Sequence, residues 1–126
     1  MAYNYTIEEI KNYLKVVVTG RREKASHLED DIKVWLKISE ACKAKRLDKI
    51  LVLYDITGKL TTTAIFEWIG SPESFGWSRK FKLALVDLNE ETRKELLFAE
   101  TIAYNRGYTL KIFANENEAL AWLLEQ

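Results

Sequence analysis

One cysteine, one proline, one methionine and one histidine in 126 residues leave few of the groups from which reactive sites are commonly built. The single thiol, Cys42, has no internal partner, which excludes a disulfide scaffold and a thiolate zinc cluster; a reducing cytoplasm is the setting expected for such a chain. Its place on the apolar side of a helix makes it a small core residue. Charge of one sign is also missing. Nineteen basic and nineteen acidic side chains cancel, so no global field draws the protein to nucleic acid or to an anionic membrane. No run approaches the roughly 20 apolar residues of a membrane helix, and the first residues lack the basic start and apolar stretch of a signal peptide. No glycine loop of phosphate-binding spacing occurs, and His27 falls among charged neighbours at a helix start, where a solvated residue is expected.

What is present is the material of an ordinary folded domain: 48% hydrophobic and 30% charged residues, enough to bury one core without covalent help. Residues 1–126 are therefore expected to form one domain. Its centre is Lys49 to Gly70, KILVLYDITGKLTTTAIFEWIG. Five apolar residues in a row, Ile50 to Tyr54, exceed what a half-exposed strand needs and predict a central strand covered on both faces. Asp55 ends it, Thr57-Gly58 makes a turn, and Thr61, Thr62 and Thr63 offer hydroxyls to cap a short helix over Ala64 to Ile69.

The remaining elements follow from period and punctuation. Tyr3, Tyr5 and Ile7 alternate with polar residues and, after a polar spacer Glu8 to Asn12, the run Tyr13 to Thr19 completes a hairpin. Ser26 with Glu29 forms a capping-box pattern before a helix whose apolar side is Leu28, Ile32, Trp35, Leu36, Ser39 and Cys42. Pro72 follows Gly70 as a stop signal, and Ser71 to Lys80 reads equally as loop or as irregular helix. Phe81 to Val86 is a buried strand ending at Asp87. Asn89 caps a long helix running towards Gly107; Tyr108, Leu110 and Ile112 alternate as a strand near the sheet edge; Asn115 with Glu118 caps a last helix. The order ββαβαβαβα predicts an α/β fold, a mostly parallel sheet with an antiparallel N-terminal hairpin, packed by helices.

That order, the strand-turn-helix at Lys49 to Ile69, and the closing LKIFANENEALAWLL at Leu110 to Leu124 resemble the STAS-type domains, specifically the SpoIIAA-like (STAS/Sec-fourteen-like) group of small bacterial proteins. The resemblance implies a SpoIIAA-like fold. It also implies a regulatory role: the group includes anti-sigma factor antagonists, in which a Ser or Thr at the helix start after this turn is phosphorylated by a partner kinase, changing which partner binds. Thr61, Thr62 and Thr63 occupy the comparable region, although the turn reads Lys-Leu-Thr-Thr-Thr-Ala instead of the Asp-Ser-Ser-Gly-like motif of the phosphorylated members. The wider resemblance reaches the CRAL-TRIO lipid-transfer domains.

Two candidate sites emerge. Asp55, Thr57, Thr61, Thr62 and Thr63 are candidates for regulation or partner binding, or for turn formation and helix capping alone. Trp68, Phe75, Trp77 and Phe81, four aromatics around an irregular segment, either enter the core or line a pocket for an apolar, lipid-like ligand, with Asp87 at the strand end beside them. Asp55 and Asp87 both close predicted parallel strands, where together they would hold a cation or orient a polar ligand, or each would accept bonds from its own turn. No nucleophile–base pair or metal cluster accompanies them. No catalytic residue, metal or cofactor is assigned, and the expected partner is a regulatory protein or an apolar small molecule, with exposed aromatics compatible with a homodimer.

Overall fold

The computed structural model describes residues 3–22, 27–60, 70 and 72–125, the side chains of His27, Leu28 and Phe75 excepted. Five strands form one sheet: β1 (Tyr3–Ile10), β2 (Tyr13–Arg21), β3 (Lys49–Thr57), β4 (Lys82–Asp87) and β5 (Thr109–Phe113). They lie side by side in chain order, β1 antiparallel to β2 and every later pair parallel. Among the described residues, the helices that pack on the sheet are α1 (His27–Lys45), α2 (Glu90–Asn105) and α3 (Glu116–Leu123). The predicted helix over 64–69 and the Ser26 cap lie outside the described residues.

Parallel crossovers of one hand that step always in the same direction leave their helices on the same face. Accordingly α1 and α2 share one side. There Trp35, Ile38 and Cys42 of α1 and Leu96, Ala99 and Ala103 of α2 meet Leu14, Val16, Val18, Ile50, Val52, Tyr54, Leu83, Leu85 and Ile112. The other face is closed by α3, whose Ala119 and Leu123 pack on Leu51, Ala84 and Val86. β3 is thus covered on both faces, as its unbroken apolar run requires.

Where the chain departs from its sequence pattern, the cause is local. β1 continues through Glu8 and Glu9 to Ile10, so the hairpin turns on Lys11 and Asn12 alone, with Lys11 at φ 37. An edge strand with solvent along one side tolerates carboxylates, and charge there also blocks strand addition by another chain. In α1 the buried side is Asp31, Val34, Trp35, Ile38, Ser39 and Cys42, while Leu36 is 40% exposed. Of the predicted apolar side, Trp35, Ser39 and Cys42 are buried and Ile32 packs against the core, but Leu36 is turned outward and Val34 and Ile38 are buried in its stead. Residues 72–80, open to either reading, form one 3-10 turn, Pro72–Phe75, followed by loop.

The two predicted asparagine caps are present. Asn89 Oδ1 accepts from the Glu91 and Thr92 N–H groups at 3.0 and 3.5 Å. Asn115 Oδ1 accepts from the Glu118 N–H at 2.9 Å, while its own Nδ2 donates to Glu118 Oε1 at 2.9 Å. Each cap answers backbone donors that the first turn leaves free.

Candidate functional site

Because β2, β3 and β4 run the same way, their last residues, Arg21, Thr57 and Asp87, form one rim, the edge at which open α/β sheets usually receive ligands. The chain leaves β3 through Gly58, whose φ of +99 belongs to the left-handed half of conformational space. A Cβ at Gly58 would lie 3.0 Å from Arg22 Cβ and 3.1 Å from the Arg22 backbone N and O. Only glycine meets both demands at once. The turn is then tied back: the Arg22 N–H donates to Thr57 O at 2.8 Å, and Arg22 Nη1 donates to Gly58 O at 3.2 Å. Thr57 Oγ1 donates to Gly20 O at 3.4 Å. Beyond the turn, Gly58, Lys59 and Leu60 face Asn89, Glu91, Thr92 and Glu95 of the α2 start across an open groove of about 360 Å³.

The two rim aspartates are separated by the pleat. Asp87 lies in register with Tyr54, on the face shared with α1 and α2; Asp55, one residue beyond Tyr54, points to the opposite face and is exposed. They do not converge on one ion, and no cluster of potential metal ligands occurs among the described residues. Asp87 is fully buried, and both of its oxygens are engaged: Oδ1 accepts from the Asn89 N–H at 3.0 Å and Oδ2 from Thr92 Oγ1 at 2.6 Å. Arg93 Nη1 donates to the Asp87 carbonyl at 2.8 Å. The carboxylate fastens the start of α2 to the end of β4.

Of the aromatic candidates, Trp77 and Phe81 join a stack that runs from the core. Trp77 meets Trp35 edge-on at 5.3 Å and Phe81 edge-on at 4.9 Å, and Trp35 in turn donates from Nε1 to the Tyr54 hydroxyl at 2.9 Å. Phe81 is buried at the entry to β4, the opposite end of that strand from Asp87. Trp68, Thr61, Thr62 and Thr63 lie outside the described residues, as does the Phe75 side chain.

Sequence reasoning passed over the polar cluster beneath the rim. Tyr3, Arg22, Asp31 and Tyr54 are all buried where β1, β2 and β3 meet α1. Burial, followed by the Asp31 charge, pushes both tyrosine hydroxyls well above their ordinary range, and Arg22 opposes that shift. One signal was available in the chain. Asp31 precedes Trp35 by four residues, which places a carboxylate on the same helix side as the largest buried ring.

No family profile matches the chain, and no curated protein matches it. Solved structures do. An anti-sigma factor antagonist from Mycobacterium paratuberculosis aligns over 97% of this chain and 94% of its own, with a TM-score of 0.63 at 11% identity. An uncharacterized protein of the DUF3478 family with a SpoIIAA-like fold, from Shewanella loihica PV-4, aligns over the same shares, with a TM-score of 0.57 at 18% identity. The chain has a SpoIIAA-like fold. In this SpoIIAA-like sheet the Gly58 turn lies within the Lys49 to Ile69 stretch from which the resemblance was drawn, of which residues 61–69 lie outside the described ones. No helix among the described residues is long and apolar enough to cross a membrane.

Proposed function

We propose that this SpoIIAA-like domain is a non-enzymatic regulatory module of the STAS type that binds a protein partner through the strand-turn-helix from Asp55 to Ile69. The observation that carries this reading is the construction of the Gly58 turn. It is held from below by Arg22 and opens on a polar groove, so it presents a fixed surface and no reacting group. The rim carboxylate best placed for chemistry, Asp87, is occupied by its own helix cap. Likeness to an anti-sigma factor antagonist over nearly the whole length supports the same reading.

In this proposal Thr61, Thr62 and Thr63 are the positions modified by a kinase, and Asp55 and Thr57, both exposed, belong to the partner face. A phosphate adds about 1.5–2 negative charges, which a partner surface fitted to the unmodified turn would not accommodate. Phosphopeptide mapping of the protein from cells in which the partner kinase is active is expected to find phosphate at one of these threonines. Finding Thr61, Thr62 and Thr63 all unmodified under those conditions would remove the switch from the proposal.

A further inference from the structure

We infer that the outer edge of β5 is a strand-addition surface for a second copy of this chain, and that Glu100 keeps it closed until its carboxylate takes up a proton. β5 (Thr109–Phe113) is the last strand of the sheet and pairs only with β4. Main-chain groups point alternately to the two sides of a strand, so one row of N–H and C=O groups on β5 meets no neighbouring strand. The Ile112 N–H belongs to that outer row: it donates to the carboxylate of Glu100, a half-buried residue of α2. Glu100 thus occupies the line a sixth strand would take. β5 contains no proline, and its register with β4 is unbroken, so the blunting of this edge falls to Glu100 and the exposed Lys111.

The edge is complementary to itself. Leu97 and Tyr104, 48% and 78% exposed, stand three residues before and four after Glu100 and so share its side of α2. An antiparallel copy centred on Ile112 sets Ile112 beside Ile112 of the second copy, brings the two α2 flanks together, and places Lys111 opposite Phe113 of the second copy. Lys111 already lies over the Phe113 ring of its own strand at 5.6 Å, and the pairing repeats that contact between chains. The same axis takes the Ile112 N–H away from each Glu100 and draws the two carboxylates towards one another. Ionised, they oppose the pairing; neutral, they admit it. Burial is the largest influence on Glu100 and raises its pKa above the ordinary 4.5, against Lys111 and the Ile112 N–H. The other cations nearby are engaged elsewhere: Arg93 donates to Asp87 O, Arg106 to Gly70 O and Lys82 to Trp122 O.

The test is sedimentation velocity of the purified protein from neutral pH downward, with the Ile112 amide followed by NMR over the same range. The Ile112 amide signal is expected to titrate with Glu100, and dimers to form as it does. Each dimer takes up two protons, so its Kd should fall by about a hundredfold per pH unit while Glu100 is mostly ionised. Glu100→Gln keeps the shape without the charge; it is expected to be dimeric at neutral pH, at a concentration where wild type is monomeric, and to lose the pH dependence. In the dimer the Leu110 and Ile112 amides should exchange more slowly than in the monomer. Should the variant not fold, the wild-type titration decides alone. A wild type that stays monomeric throughout, one already dimeric at neutral pH, or an Ile112 amide indifferent to pH overturns the inference. So does a dimer whose Leu110 and Ile112 amides exchange as fast as in the monomer, because its contact lies elsewhere.

Discussion

Cys42 and Glu73 show how far surroundings alone reset a side chain. The Cys42 thiol is buried, and desolvation, with a smaller push from Asp48, raises its pKa to about 12. Since the thiolate is the nucleophile, the native protein is expected to resist a thiol reagent at pH 8 and to react at once when unfolded; comparable rates in both states would place Cys42 elsewhere than in the core. Glu73 is the reverse case. Tyr108 donates its hydroxyl to Glu73 Oε1 at 2.7 Å, and Arg79 stacks on the Tyr108 ring at 4.5 Å while its Nε donates to Arg106 O at 3.0 Å. The hydrogen bond from Tyr108 is the largest influence holding the Glu73 carboxyl below its ordinary value of 4.5. A depressed acid contributes stability above its unfolded value and loses it as pH falls through the folded value. The difference in melting temperature between wild type and Tyr108→Phe should therefore be largest at neutral pH and narrow as pH falls below the ordinary carboxyl value. A pH-independent difference would mean that packing of the ring edge, not the bond, is what the hydroxyl supplies.

At the scale of single elements, the Gly58 turn gives the sharpest expectation. Gly58→Ala forces a side chain into φ +99 and against Arg22 at 3.0 Å, so urea unfolding should show a loss of about 2 kcal/mol. A loss no greater than a few tenths would mean that the turn relaxes and that Arg22 does not set its shape. Thr57-Gly58 was readable as a turn, and Asn89 and Asn115 as caps, because each rests on a short-range rule that its own neighbours satisfy. The order of elements and the burial of Ile50 to Tyr54 were legible for the same reason. On α1 the expectation failed at Leu36 alone among the described side chains, because Val34 and Ile38 compete with it for the same period and only the sheet decides between them. The Arg22 cluster was illegible for a different reason. Arg22 stands inside a charged stretch, Arg21 to Lys24, and the groups around it, Tyr3, Asp31 and Gly58, come from three separate parts of the chain. Asp87 ends β4 as its position suggested, whereas Asp55, expected to end the central strand, lies inside β3, which runs on to Thr57; the opposite faces of the two follow from inter-strand register, which no local pattern states.

For the molecule as a whole, stability should grade across the sheet. β3 is paired on both sides and sandwiched between α1 and α3, whereas β1 and β5 are each paired on one side only. Local opening costs least where contacts are fewest. Hydrogen exchange is therefore expected to be slowest at amides of Ile50 to Tyr54 and of Leu83 to Val86, and faster along Thr6 to Ile10. Equal protection of β1 and β3 would show that the sheet opens only as one unit.

Strands laid down in chain order also have a consequence for synthesis. Each strand leaving the ribosome finds its neighbour already made, so the sheet can grow from β1 outward, one strand at a time, like a wall built from one end. The cover for the second face is made last, however. Until α3 emerges, Leu51, Ala84 and Val86 have no lid, and the nascent chain carries an exposed apolar strip. Ala119 and Leu123 are thus the side chains that complete the second core.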